Sequence, residues 1–291
     1  MKGKRAFAAF RISFGSAGAA IAVLVAATLT VLAADFISPH DPLQTFEGAY
    51  RLPGFWSSEA HYDPRFVLGT DDVGRDVLSR LLHGARWSML AGLAVAVLAT
   101  ALGVILGSFA AWWGRSVDAL ISRAMDVLMA LPSILLAIVV VTILGPSLLN
   151  AILAATLTAI PGITRVVRAQ LMLEMSKPYV AAARIAGAGG FRIVLRELLP
   201  NCGGPILVQA TLGFGDGLLN VAALGFLGLG ARPPAPEWGA MLADARGFVE
   251  SDPALVTLPG LCIFLVIWAF NILGDEVRDH CDPKTHLREA R

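Results

Sequence analysis

The chain has 291 residues, of which 56% are hydrophobic and only 15% are charged, and its formal net charge is +1. Soluble domains carry about 25% charged residues, so the composition excludes an ordinary soluble protein and indicates a chain with several membrane spans. The five histidines show no metal-ligand spacing, and the three cysteines form no CxxC pair. The sequence therefore predicts no metal site and no disulfide framework.

Six apolar segments are long enough to cross a bilayer, which requires about 20 mainly apolar residues. They cover residues 15–36, 87–113, 121–144, 148–169, 203–229 and 254–274. A signal peptide is the alternative interpretation of the first segment. Its apolar run is longer than a typical signal core and no good cleavage context follows, so we interpret it as an uncleaved helix. Abundant Ala, Gly, Ser and Thr predict a closely packed bundle.

The distribution of Lys and Arg predicts the orientation of the spans, because short cytoplasmic loops carry an excess of positive charge. Basic residues concentrate in residues 1–11 and again in 165–200, whereas the 230–253 loop is mainly acidic. Both termini and the 165–200 region are therefore expected in the cytoplasm, and the 230–253 loop outside.

Three parts follow from this topology. Residues 1–86 contain an N-terminal cytoplasmic tail, the first span and an external segment. Residues 87–274 form a core of five spans with a cytoplasmic loop at 178–201, and residues 275–291 form a cytoplasmic tail. No tandem repeat is evident.

A charged stretch precedes the second span. Asp71 and Asp72 stand directly before Val73–Leu82, and acidic residues are favourable at a helix N-terminus. We expect an external amphipathic helix that leads into the second span. Two alternatives stay open, namely a helix that rests on the bilayer surface and a set of structural ion pairs among Asp71, Arg75 and Asp76.

Asp126 lies near the cytoplasmic end of the third span, where an ion pair with Arg123 or Arg165 is its expected role. Buried charges inside a membrane are costly and need such a partner. Pro132 and Pro161 are expected to kink the third and fourth spans.

The fifth span contains three more polar residues, Gln209, Asp216 and Asn220. Their separations of seven and four residues place them on one helical face. Polar groups inside spans are expensive and usually functional. This face is expected either to line a hydrated path or to seal the contact with another subunit.

Two short helices joined by glycines are predicted within residues 178–201. Pro178 suits the first turn of a helix over Tyr179–Ala186, and the glycines of the GAGG sequence at 187–190 then allow a turn. A second helix, Phe191–Leu199, is expected to end at Pro200. Its apolar stripe at helical spacing consists of Phe191, Val194, Leu195 and Leu198. This basic hairpin is expected either to lie on lipid headgroups or to receive a soluble partner.

The hairpin resembles the cytoplasmic coupling loop of importer-type ABC transporter permeases, whose pattern runs from EAA through a glycine to a closing Leu-Pro. Ala181–Ala183 stands at the EAA position, Gly187 at the glycine and Leu198–Pro200 at the end. One position departs from the pattern: Ala181 occupies the place of the usual glutamate. A potential charged contact to an ATPase is therefore missing.

Four further stretches are similar to signatures of the dipeptide/oligopeptide/nickel permease family. They are Leu68–Arg86, Asp126–Val141, Ala223–Leu242 and Phe270–Lys284. The long external segment is similar to that of the second, "C"-type permease subunit, and the similarity is greatest to the dipeptide branch. The resemblance implies an all-α integral membrane protein with the six-helix bundle of a type I ABC importer. It also implies a multi-pass location in the bacterial inner membrane, with both termini cytoplasmic.

The resemblance further implies that chemistry and transport are divided among subunits. The chain lacks a GxxxxGK[ST] loop that could hold nucleotide phosphates, so neither a catalytic residue nor a cofactor is expected on it. ATP and Mg would bind to two partner ATPase subunits. The other implied partners are a homologous permease subunit, an external solute-binding protein, a peptide substrate and membrane lipid, without nucleic acid. The implied cargo is a dipeptide or short oligopeptide; the alternative cargos are a nickel chelate, glutathione, and a murein or antimicrobial peptide.

The resemblance also assigns roles to individual residues. The residues implied in ATPase docking are Ala182, Arg184, Gly187, Arg192, Leu199 and Pro200. Asp71, Arg75 and Asp76 would belong to an external gate or to the docking face for a binding protein. Gln209, Asp216 and Asn220 would line the translocation path. The rival classes, an intramembrane protease or an ion-coupled carrier, would need a catalytic constellation or inverted repeats, and the sequence shows neither.

Overall fold

Helices supply the regular structure of the computed structural model, which describes residues 16–56 and 62–281. In chain order they are α1 (Ser16–Ile37), α2 (Val77–Trp112), α3 (Arg115–Met129), α4 (Ser133–Leu144), α5 (Leu148–Met175), α6 (Pro178–Ile185), α7 (Gly190–Arg192), a π-helical turn (Ile193–Leu198), α8 (Leu199–Asn201), α9 (Gly203–Phe226), α10 (Trp238–Ala245), a 3₁₀ turn (Arg246–Phe248) and α11 (Ala254–Cys281). Within the described ranges the only β pairing is an isolated bridge between Thr70 and Asp76. The predicted N-terminal tail and most of the C-terminal tail lie outside these ranges.

Five helices are long and apolar enough to cross a membrane, namely α1, α2, α5, α9 and α11. They confirm five of the six expected spans. α2 begins earlier than expected, at Val77, because no proline interrupts the chain between there and Trp112. The helix expected at Val73–Leu82 therefore begins four residues later and is continuous with the second span, so Asp71 and Asp72 do not stand at its N-terminus. Its N-cap is Asp76, whose side chain accepts a hydrogen bond from the Ser79 N–H.

The expected third span is not a single straight helix. α3 and α4 are separated by residues 130–132 and bent by 91° relative to each other. Pro132 disfavours the helical conformation of the residue before it and has no N–H to donate. The kink expected at this proline is therefore a full break. Pro161, in contrast, lies inside α5 without ending it.

Close contact between spans depends on glycines, as the small-residue content predicted. A Cβ on Gly103 of α2 would lie 2.5 Å from Ile163 Cγ2 of α5, and one on Gly107 would lie 2.8 Å from the Thr164 carbonyl oxygen. α2 also packs against α9, and α9 packs against α11. The bundle is therefore built around α2, α5 and α9, whose backbones approach where side chains are absent.

Substitution of glycine should test this packing. Gly103→Ala should lower the free energy of unfolding by about 1–3 kcal/mol, because the new methyl group overpacks the α2–α5 contact. Gly162→Ala in α5 is the matched control, since a Cβ there meets nothing within 4 Å and alanine is the better helix former by up to about 1 kcal/mol. Thermal unfolding of the purified protein in detergent measures both; equal stability of the two variants would contradict the packing.

Candidate functional site

The first arm of the hairpin ends in a Schellman motif. α6 begins with Pro178 in its first turn, as expected. The Gly187 N–H donates to the Arg184 carbonyl and the Ala188 N–H donates to the Ala183 carbonyl, both at 3.0 Å. This pairing places Gly187 at the position after the helix that requires a positive φ, and its φ is 79°. Gly187 is therefore required by the backbone conformation, and the space around it is open.

The second arm differs from the expected apolar stripe. Ile193–Leu198 forms a π-helical turn, whose wider winding rotates side chains away from a 3.6-residue pattern. Val194 and Leu198 are buried as expected, but Phe191 is 71% exposed and Leu195 is 46% exposed. The expectation that Pro200 ends the helix is wrong, because α8 continues to Asn201. The wide turn before Pro200 makes room for its ring.

A hydrogen-bonded group connects the two ends of the hairpin to α5. Glu174 accepts from the Lys177 ammonium at 2.5 Å and from the Tyr179 hydroxyl at 2.9 Å. The Asn201 side-chain amide donates to the Tyr179 oxygen at 3.5 Å. Burial, with the hydrogen bond to the Glu174 carboxylate, raises the pKa of Tyr179 to about 12. The hydroxyl therefore keeps its proton and remains a donor to Glu174.

The tip of the hairpin is exposed. Ala182, Arg184, Gly187 and Arg192 are exposed, as is Pro200, while Leu199 is half-buried. Ile185 is 89% exposed, although sequence reasoning gave it no role. Large apolar side chains on a surface indicate a contact site, and Ile185 and Phe191 are exposed on the two arms that also carry the basic residues. The sequence could have identified Ile185, because it lies next to Arg184 on a short helix that buries few side chains.

One aromatic ring lies under both arms of the hairpin. The Arg184 guanidinium carbon stands 5.2 Å from the ring centroid of Trp112, the last residue of α2. A Cβ on Gly190 would lie 2.8 Å from Trp112 Nε1. The positive charge of Arg184 is therefore engaged within the chain, in a cation–π contact with Trp112.

The charged residues before α2 form a buried network. Arg75 pairs with Asp71 at 2.5 Å and with Asp244 of α10 at 3.3 Å. The Arg80 guanidinium, which is 1% exposed, lies 3.5 Å from Asp71 and donates to the Pro234 carbonyl at 3.2 Å. Of the two alternatives left open for this stretch, the structure contains the ion pair of Asp71 with Arg75, whereas Asp76 caps α2 and pairs with neither of them. Contact of Asp71, Arg75 and Asp76 with an external protein stays a prediction.

A second buried carboxylate fastens α10 to α2 beside this network. Glu237 is fully buried and accepts from Ser88 Oγ and from the Gly239 and Ala240 N–H groups, each at 2.9 Å. The Trp238 indole N–H donates to the Leu81 carbonyl at 3.1 Å. Burial raises the pKa of Glu237, and the donated N–H groups oppose that shift. Sequence reasoning missed Glu237, because a single acid in a proline-rich loop gives no sign of burial.

The polar residues of the spans are placed as their spacing predicted. Asp216 is exposed on α9, and Gln209 and Asn220 are half-buried. The Asn220 side-chain amide donates to the Asp216 carbonyl at 2.9 Å. The ion pair expected for Asp126 is confirmed with Arg165, at 2.5 Å. Whether the α9 face lines a path stays a prediction.

Residues 103–287 match the family described as the binding-protein-dependent transport system inner membrane component. The chain belongs to this family, and it is a multi-pass inner-membrane permease. A permease chain of the inward-facing MetNI methionine ABC transporter has a TM-score of 0.59 over 70% of this chain and 97% of its own, at 19% identity. That likeness shows the fold of an ABC importer permease.

Curated relatives narrow the branch of the family. The di/tripeptide transport system permease protein DppC of Pseudomonas aeruginosa (strain UCBPP-PA14) is 47% identical over 87% of this chain and 83% of its own length. The dipeptide transport system permease protein DppC of Haemophilus influenzae is 43% identical over 94% and 92%. The probable D,D-dipeptide transport system permease protein DdpC of Escherichia coli K12 is 38% identical over 92% and 87%. These relatives confirm the family resemblance read from the sequence.

The external ion network predicts a sharp difference between two neighbouring acids. Asp71→Asn should lower the free energy of unfolding by about 3 kcal/mol, because it leaves the buried Arg75 and Arg80 with less compensation. Asp72→Asn should have little effect or should stabilise, because burial and the Asp71 carboxylate raise the pKa of Asp72 and so disfavour its charge. Thermal unfolding in detergent compares them; a larger loss for Asp72→Asn would contradict the network.

Proposed function

We propose that this chain is one of two transmembrane permease subunits of an ATP-driven importer of dipeptides or short oligopeptides. The curated relatives named above are peptide and dipeptide permeases, which supports this cargo over a nickel chelate, glutathione or a murein fragment. The observation that carries the proposal is the exposed hairpin at residues 178–201, with its Schellman glycine and its apolar and basic tip. A tip that exposes both apolar and basic side chains suits the docking of a soluble partner.

The partner proposed for the hairpin is a cytoplasmic ATPase subunit. Ala182 and Gly187 offer a small, open surface that another backbone can approach. Arg192 offers an exposed charge for acidic residues, and Ile185 and Phe191 offer apolar area that would be buried on docking. Arg184, Leu199 and Pro200 frame this surface. Apolar contacts would therefore take the place of the charged contact that is missing because Ala181 stands where the family pattern has a glutamate.

The remaining partners follow from the same division of transport and ATP hydrolysis among separate subunits. Two ATPases would bind ATP and Mg, a homologous permease would complete the membrane pore, and an external binding protein would deliver the peptide. This chain performs no chemistry; it changes conformation when the ATPases move the hairpin. A membrane charge must face protein or water rather than lipid. We therefore assign Asp216, with Gln209 and Asn220, to the peptide path.

A pair of substitutions at one position tests ATPase docking. Gly187→Glu and Gly187→Ala impose the same positive-φ strain, but only glutamate adds charge and bulk to the docking surface. Uptake of a radiolabelled dipeptide by cells that express the complete importer should fall at least tenfold for Gly187→Glu, while Gly187→Ala keeps most of it. Both chains should insert equally, as immunoblots of membranes show. Normal uptake with Gly187→Glu would disprove the docking assignment.

The path assignment predicts a separate defect. Asp216→Asn should reduce dipeptide uptake about tenfold, because the path loses its charge, while both ATPases and the second permease still co-purify with the chain. Leu207→Asn is the control on the opposite face of the same helix, since Leu207 lies nine residues before Asp216 and is also exposed, and uptake by this variant should stay normal. If Asp216→Asn instead releases the second permease, the residue belongs to subunit packing.

A further inference from the structure

Trp112 is the point at which α2 meets the docking hairpin, although the two are far apart in sequence. Its ring lies beneath Arg184 of the first arm, at 5.2 Å, and against Gly190 at the start of the second arm. Trp112 also belongs to the apolar cluster that contains Val180 and Ile193 of the same two arms. One side chain therefore joins both arms of the hairpin to the end of α2.

The contact depends on the residue types at both sides. Any side chain at Gly190 would place its Cβ 2.8 Å from Trp112 Cζ2 and Nε1, which is closer than real Cβ contacts allow. A large, flat ring is needed to reach both arms at once, and its face also attracts the guanidinium of Arg184. The fit therefore needs an aromatic ring at position 112 and a glycine opposite it.

The opposite end of α2 is fastened to the external loop that leads into α10. Arg80 donates to the Pro234 carbonyl at 3.2 Å, the Trp238 indole donates to the Leu81 carbonyl at 3.1 Å, and Ser88 donates to Glu237 at 2.9 Å. Between these contacts and Trp112 the helix has no proline to absorb bending. Its 36 residues span about 54 Å.

We propose that Trp112 is a positioning residue that clamps the hairpin to α2, so that α2 carries hairpin movement as a rigid strut to the external loop at residues 231–245. The proposal rests on the ATPase docking proposed above. When the ATPases displace the hairpin, the contacts of Trp112 with Arg184 and Gly190 oblige the end of α2 to follow. The hydrogen bonds at Arg80, Leu81 and Ser88 then move the external loop with the helix. Packed side chains and rigid helices are the means by which distant sites are coupled.

The adjacent tryptophan provides a matched control. Trp113 is 49% exposed and stacks on Phe109 of its own helix, with ring centroids 4.3 Å apart. Trp112→Ala and Trp113→Ala therefore remove the same side chain at neighbouring positions, but only the first removes the clamp. Trp112→Phe keeps an aromatic ring in place, and Gly190→Ala displaces the ring without changing it.

The test uses the complete importer in proteoliposomes with its external binding protein, and it measures radiolabelled dialanine imported per ATP hydrolysed. Trp112→Ala should keep both ATPases bound and hydrolysing ATP while the import per ATP falls at least tenfold. Gly190→Ala should show the same loss, Trp112→Phe should recover at least half of the import, and Trp113→Ala should match the unchanged importer.

Three results would overturn the clamp. They are an import per ATP for Trp112→Ala within twofold of Trp113→Ala, release of the ATPases by Trp112→Ala, and normal coupling in Gly190→Ala. If Trp112→Ala fails to insert into the membrane, the coupling measured for Gly190→Ala decides whether the clamp exists. The proposed docking fails in a different way, since the ATPases would then not co-purify even with the unchanged chain.

Discussion

Close approach of α2 to its neighbours is the constraint on which the rest of the structure depends. Gly103 and Gly107 of α2 face α5, and a Cβ on Gly217 of α9 would lie 2.8 Å from Val95 of α2. Lipid provides no hydrophobic drive for helices to associate, so contact must come from fit between surfaces. Because α2 is held on two sides, its two ends are fixed in space: one meets the loop before α10 and the other meets the hairpin at residues 178–201.

Charges are arranged around this bundle in two different ways. At the start of α2, the buried Arg75, Arg80 and Asp71 pair with one another and with the half-buried Asp244, which fixes the loop before α2 to α10. Buried pairs of this kind are costly to break because a lone charge is left in a poorly solvated site. On the hairpin the basic residues are exposed instead, and only Arg184 is held, by Trp112. The charges before α2 are therefore held by one another, whereas most of those on the hairpin stay open to contact, as the proposed docking of an ATPase requires.

Sequence patterns predicted the local features well because those features depend on neighbouring residues. Span length, the proline at the start of α6 and the need for glycine at 187 all follow from a few adjacent residues. The Asp126–Arg165 pair was also predicted, since both charges stand at the cytoplasmic ends of spans. The π turn was not predicted, because periodicity assumes a uniform helix and gives no account of how a later proline widens a turn. The exposure of Phe191 was not predicted either, because the expected apolar stripe assumed the same uniform helix.

The sequence by itself determined the membrane class, five of the six expected spans and the permease family, because hydropathy and motif spacing are properties of the linear chain. Tertiary structure decided which distant residues meet. Arg75 and Asp244 pair although they are 169 positions apart in the sequence. Trp112 contacts Arg184 only because the fold brings the last residue of α2 next to the hairpin. The 91° angle between α3 and α4 likewise could not be predicted from the sequence. A proline indicates where a helix is interrupted, but packing sets the direction of the helix that follows.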